Sequence, residues 1–328
     1  MGNRGVFSDK KRIGPHFIER VNNMSNLASA ITKAASKQTY YTIQFLVDRA
    51  GVEDAYRAYG YFRWLDDILD ADGRSEPEKK VFLERQKSLL ESCYRGEPTP
   101  DATLQEKMLI ELVGHDVERN SGLQSYIRNM MLVMDFDTRR RGRRISQLEL
   151  NGYTRWLAVA VTEAIHHFIG HDDFAPHDER RYLAVSGAHI AHMLRDTFDD
   201  AQVGYFNIPG EVLAANHIEP LDVESAPYRA WVRSRVRLAR TYFKSGKNYF
   251  SEIQNTRCRL ASFAYMARFE WLLDTIEEED YLLRPQYNER KSAKTGLRMS
   301  WLTLASVINL REVDNLSQPD VAQPFGKP

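Results

Sequence analysis

Two short stretches of this 328-residue chain place acids at a spacing that suits metal chemistry. The first reads Arg63-Trp64-Leu65-Asp66-Asp67-Ile68-Leu69-Asp70, and the second Arg195-Asp196-Thr197-Phe198-Asp199-Asp200. Asp66 and Asp70 stand one helical turn apart, as do Asp196 and Asp200, so each pair shares a helix face. Like charges at that spacing destabilise a helix by roughly 0.2–0.5 kcal/mol per pair. A hard cation supplies a reason to keep them, because Mg²⁺ takes oxygen ligands and bridges carboxylates to phosphates. Asp67 and Asp199 adjoin the pairs as accessory acids, and an arginine precedes each cluster with a fork suited to phosphate. Either cluster alone fits an ordinary solvated face. Both lie among apolar and aromatic residues, where a solvated helix carries Lys and Glu instead.

Such acids converge only if helices hold the two faces toward each other, and helical spacing dominates the chain. Ala55, Tyr59, Phe62, Leu65 and Leu69 form one stripe at steps of three or four. Leu183, Gly187, Ile190 and Leu194 form a second, and Leu260, Phe263, Met266, Phe269 and Leu273 a third. Helices are expected over 22–47, 52–71, 76–95, 103–115, 122–138, 146–170, 178–200, 224–254, 257–279 and 292–307. Loops are expected near Arg95–Ala102, Arg139–Arg144, Gly170–His177 and Gly204–Glu219. No period-two segments with hairpin turns stand out. The reading is an all-α, single-domain protein, with an N-terminal extension over 1–25, a catalytic domain over 26–312 and a flexible tail over 313–328.

Composition narrows the class. Lys plus Arg and Asp plus Glu balance at 45 each, and 43% of residues are hydrophobic. Zero net charge argues against binding nucleic acid by bulk electrostatics. Two distant cysteines, Cys93 and Cys258, give no disulfide framework, so the cytoplasm is the expected compartment. No window reaches the roughly 18 apolar residues of a membrane span.

The stretch from Ala55 to Asp70, and the stretch from His192 to Asp200 followed by Gly204 and Ile208-Pro209, resemble the two aspartate-rich helices of the squalene/phytoene synthase family. Ser36-Lys37-Gln38-Thr39-Tyr40-Tyr41 resembles the family's N-terminal diphosphate-contacting segment. The resemblance implies an isoprenoid-synthase helical bundle around a central cavity, with the aspartate helices facing across its mouth. It makes Asp66, Asp70, Asp196 and Asp200 ligands of Mg²⁺. It makes Arg63, Arg195, Lys37, Tyr41 and Arg284 diphosphate contacts. The chemistry needs a dry, apolar, partly aromatic cavity, because water quenches carbocations and aromatic faces stabilise them. Phe45, Tyr59, Phe62, Thr162 and Phe269 are candidates for its wall. The partners implied are prenyl diphosphates, farnesyl or geranylgeranyl diphosphate, with peripheral membrane contact a further expectation.

The chain departs from the family pattern in four places. His189 and His192 stand where a Gln and an Asn are usual, and Phe269 where many relatives place a tyrosine. Gly204-Tyr205-Phe206-Asn207-Ile208-Pro209 replaces Gly-Arg-x-Tyr-x-Pro. Thr162 and Glu163 interrupt a small-residue segment, so a buried Glu163 needs a partner or a raised pKa. The expected function is Mg²⁺-dependent ionisation of an allylic prenyl diphosphate and head-to-head condensation of two such molecules. A terpene synthase that cyclises or hydrates one prenyl diphosphate is the alternative, and a non-catalytic assembly or lipid-binding homologue a third. NADPH finds no dinucleotide fingerprint. The run Arg139-Arg140-Arg141-Gly142-Arg143-Arg144 reads as a solvated loop first and an anionic-membrane contact second. Asp135 and Asp137 read as surface salt-bridge partners first and as groups orienting water or a cation near the cavity second, and His166, His167 and His171 are too closely spaced for a clean zinc site.

Overall fold

The computed structural model describes residues 24–71, 73–99, 101–118, 120–170 and 176–287. The extension up to residue 23, the tail and the helix expected over 292–307 lie outside them. The described residues form α1 (Met24–Ala35), α2 (Lys37–Leu46), a 3₁₀ turn (Arg49–Gly51), α3 (Val52–Leu69), α4 (Glu76–Tyr94), α5 (Leu104–Gly114) and α6 (Gly122–Arg140). They continue through α7 (Gln147–Phe168), α8 (Arg180–Arg195), α9 (Thr197–Gln202), α10 (Gly210–Asn216), α11 (Ala226–Glu252) and α12 (Thr256–Glu278). No strand occurs among the described residues.

Local chemistry sets the helix starts. Thr103 with Glu106, Ser146 with Glu149 and Ser75 with Glu78 form reciprocal capping boxes at α5, α7 and α4. Asn255 accepts from two backbone N–H groups at the start of α12. The stretch expected as one helix over 22–47 breaks at Ser36, which adopts an extended backbone and caps α2. The stretch expected over 178–200 breaks at Asp196, so α8 ends beside the second acid cluster and α9 carries Asp199 and Asp200. Part of the expected 204–219 loop is helical, as α10.

Helix α8 runs through the middle, packed on α7, α11 and α12, while α6 pairs with α7 and α3 with α1 and α5. Close approach of α8 and α11 depends on Gly246, where an added Cβ would lie 2.5 Å from that of Ala184. Gly204 holds a positive φ of 90° just after α9, and its carbonyl accepts from Gly142 N–H at 2.8 Å. That bond pins the end of the basic run to the second acid cluster.

Candidate active site

Helix α3 buries its first acid cluster. Asp66 and Asp70 are 5% and 8% exposed, and Arg63 is 1% exposed. The Arg63 guanidinium donates to Asp66 at 3.2 Å and engages both carboxylate oxygens of Asp67. Arg63 is thus committed to the acids of its own helix. At the second cluster Arg195 grips Asp196 with two bonds of 2.7 and 2.9 Å, and His192 Nε2 lies 3.2 Å from the same carboxylate. Asp200 accepts from Asn207 at 2.7 Å.

A buried polar network joins the two clusters, and Arg140 is its hub. Arg140 donates to Asp137 at 2.6 Å and to Asn207 at 3.1 Å. Its guanidinium lies 4.7 Å from the ring centres of both Tyr153 and Tyr205. Tyr153 donates to Asp137 at 2.9 Å, and the Tyr205 hydroxyl stands 3.5 Å from Asp70. Asp66, Asp70 and Asp137 open on one small cleft with Glu76, Lys79 and Arg141. Burial, reinforced by Asp196, pushes the Asp200 carboxyl well above the usual carboxylate range. Burial likewise raises Asp137 despite its arginine. These acids gather with Arg63, Arg140 and Arg195 and, in the cleft, with Lys79 and Arg141. Among the described residues, however, no three acidic, imidazole or thiol groups are already clustered as an ion's ligands.

Next to this network lies a cavity of about 320 Å³. Its wall is largely apolar, from Ile43, Leu46, Met130, Leu157, Ile165 and Phe168, with Tyr59, Tyr126, Tyr265 and Phe269 adding aromatic faces. His189, His192 and Arg268 supply its basic groups. Tyr59 and Arg63 share a face of α3 one turn apart, and His192 is the ion-pair partner of Asp196. The cavity therefore meets both clusters. Burial, opposed by Arg63 and Arg268 and reinforced by Asp66, pushes the Tyr59 hydroxyl up to about 12, so it stays protonated at neutral pH.

Tyr59 and Phe269 line the cavity; three other candidates for its wall do not. Phe45 is 70% exposed, because α2 turns Thr39, Thr42, Ile43 and Leu46 inward and Tyr41 and Phe45 outward, stacked on each other. Phe62 is fully buried against Tyr61 and Tyr126 on another face of α3. Thr162 is buried with its hydroxyl unbonded, away from the wall. Lys37 and Tyr41 lie on the exposed side of α2, and Arg284 pairs with Glu279 at 2.9 Å. The structure brings together Asp66, Asp67, Asp70, Asp196, Asp200, Arg63, Arg195 and His192.

Sequence reading missed Arg140, Tyr153 and Arg268. Within the basic run, Arg139 pairs with Asp135, Arg143 with Glu149 and Arg144 with Glu219, while Arg140 is buried. The run is largely neutralised by its own neighbours, which weakens the membrane reading. Asp135 is the surface pair expected, also meeting Lys87 at 2.7 Å, whereas Asp137 faces the site. Among the described residues no helix is long and apolar enough to cross a membrane.

The family model for squalene/phytoene synthase matches residues 32–295 of this chain. The presqualene diphosphate synthase of Zymomonas mobilis is 27% identical over 221 residues, covering 67% of this chain and 71% of that protein. The fold is similar to a squalene synthase from Alicyclobacillus acidocaldarius, with a TM-score of 0.65 at 18% identity, covering 80% of this chain and 95% of that one. It is similar to a ligand-bound dehydrosqualene synthase as well, with a TM-score of 0.64 at 15% identity, covering 86% and 95%.

Proposed function

The chain belongs to the squalene/phytoene synthase family and is a prenyltransferase of that kind, and we propose that it uses Mg²⁺ to ionise one allylic prenyl diphosphate and join it head to head to a second. The observation that supports this reading is the juxtaposition of two buried acid clusters with one apolar, aromatic-walled cavity. Farnesyl and geranylgeranyl diphosphate are the substrate candidates.

The donor set suits a hard dication. Asp66, Asp70, Asp196 and Asp200 would hold it, all buried and all oxygen donors. Arg63 and Arg195 now compensate part of that charge, and a dication would share the task. Held there, the ion would supply charge to neutralise a departing diphosphate, the chemistry that favours breaking an allylic C–O bond. The chain's own residues do the rest. Arg195 and Arg268 present cations toward the diphosphate, with Lys37, Tyr41 and Arg284 as outer contacts. Tyr59 and Phe269 offer ring faces to the cation, worth about 0.5–2 kcal/mol each. The apolar wall keeps water from the intermediate.

The test is incubation of the full chain with each prenyl diphosphate and Mg²⁺, following diphosphate release and product carbon count. Release with a product of twice the substrate's carbon count is expected. A product of one substrate's carbon count selects the cyclising or hydrating alternative, and no release with any chain length sinks both.

A further inference from the structure

His189 has no role in the acid clusters, yet it occupies the cavity wall. It is 4% exposed, and among the described residues neither ring nitrogen has a hydrogen-bond partner. Its one described ring contact is edge-on to Tyr153, with ring centres 5.0 Å apart. A buried polar group left unbonded is destabilising, so a partner arriving with the ligand is the simplest explanation. His189 lies seven residues before Asp196, and α8 rises about 1.5 Å per residue. The imidazole therefore stands about 10 Å along the helix from the acid cluster, inside the cavity where the reacting carbons of a diphosphate held at the mouth would lie. Burial first, then His192, Arg140 and Arg235, hold the ring in its neutral form, with a lone pair available. The other nitrogen and phenol groups of the wall are less suited. Tyr126 donates to the Ala58 carbonyl, His192 is paired with Asp196, Arg268 is a cation, and burial holds the Tyr59 and Tyr265 hydroxyls in their protonated form.

We propose that His189 is the base that takes the proton released when the coupling cation closes, an inference that rests on the head-to-head reading above. The allylic C–O bond of the first molecule breaks and its electron pair leaves with diphosphate. The double-bond pair of the second molecule forms a bond to the freed carbon, leaving a tertiary cation next to the new bond. That freed carbon then loses a proton to a ring nitrogen of His189, and the C–H electron pair closes a three-membered ring. The second molecule keeps its diphosphate, so the products are a cyclopropylcarbinyl diphosphate, one diphosphate and one proton. A weak base suffices, because a carbocation is a far stronger acid than imidazolium. Its position matters more than its strength, since the competing fate is capture by water.

The experiment compares wild type, His189→Gln and His189→Ala, the last with and without added imidazole. Each is given farnesyl diphosphate and Mg²⁺, and cyclopropyl product per diphosphate released is measured. The expected ratio falls about 10²-fold in both variants, the lower end of a positioned base's contribution. The missing carbon is expected as prenyl alcohols, with partial recovery when imidazole fills the His189→Ala gap. An unchanged ratio in either variant overturns the proposal. So does a parallel loss of release and product in both, which would make His189 a packing or binding residue. Wild type that releases diphosphate but couples nothing fails the head-to-head reading itself, a result visible before any variant is made.

Discussion

Helix α8 carries a buried arginine–carboxylate pair at each end, and the two pairs differ in what surrounds them. At its start Arg181 grips Glu163 through two bonds of 2.9 Å, Tyr182 donates to the same carboxylate at 2.8 Å, and Arg181 also reaches the Tyr249 hydroxyl at 3.1 Å. There one acid meets one base and the hydroxyls complete the bonding, which answers the requirement that a buried Glu163 find a partner. At the other end Arg195 grips Asp196, while Asp66, Asp70 and Asp200 are buried and Asp137 half-buried in the same network, and Asp200 is driven toward its neutral form. A closed pair stabilises a fold. Carboxylates gathered in such number suit a cation, and a cavity beside them gives the remainder of a ligand its place.

Breaking the acid clusters should cost activity and spare the fold. Asp66→Asn and Asp200→Asn are each expected to lower diphosphate release by roughly 10²–10³, on the scale of removing one electrostatic contact to a developing charge. Their melting temperatures should hold, since Asp67 still meets Arg63 and Asp200 is already driven toward its neutral form. A large fall in melting temperature would place these acids with the structural pair instead. Breaking the closed pair should do the reverse. Arg181→Met leaves Glu163 buried without its cation, which costs about 3–5 kcal/mol in a urea melt. Activity per folded molecule should stay near that of wild type, and a selective loss of activity would show that the two ends are not separate.

Arg140 sharpens the contrast, being both buried and shared between the clusters. Arg140→Lys keeps the charge and loses the fork that spans Asp137 and Asn207. About 1–3 kcal/mol of stability should go with the bond left unmade. Diphosphate release should fall too, by about tenfold, if one bond's worth of positioning is lost. Full activity with lowered stability would reduce Arg140 to scaffolding.

The last effect is the smallest at neutral pH and shows only in acid. His166 packs on Phe250 near the closed pair, and burial, with help from Arg181 and His177, pushes it down to about 3. The unfolded chain binds its proton near pH 6.5 while the folded chain resists it. Its stabilising contribution is therefore complete above pH 6.5 and is lost as pH falls toward 3, at up to about 1.4 kcal/mol per pH unit. His166→Phe should flatten that limb of the stability profile, and an unchanged slope would remove His166 as its cause.

The acid pairs were legible because a four-residue step fixes a shared helix face without tertiary information. The same locality exposed Arg63 and Arg195, although for Arg63 it did not reveal that its own helix's acids claim the guanidinium. Contacts made across the bundle were not legible. Arg140 and Asn207 are 67 residues apart, and what joins them is the Gly142–Gly204 backbone bond. A run of arginines therefore reads as a solvated loop until its one buried member is placed. The wall failed at Phe45 and Phe62 for a related reason. An apolar stripe says that a face is covered, not which neighbour covers it, and Phe62 meets Tyr126 rather than the cavity.

The most direct test of the acid-cluster account is diphosphate release from farnesyl diphosphate, titrated with Mg²⁺, in wild type and in the double variant Asp66→Asn/Asp200→Asn. The account predicts saturable, chelator-reversible release in wild type, and release in the double variant reduced to background at every Mg²⁺ concentration while its melting temperature is kept. Release that ignores Mg²⁺, or that survives in the double variant, would contradict it.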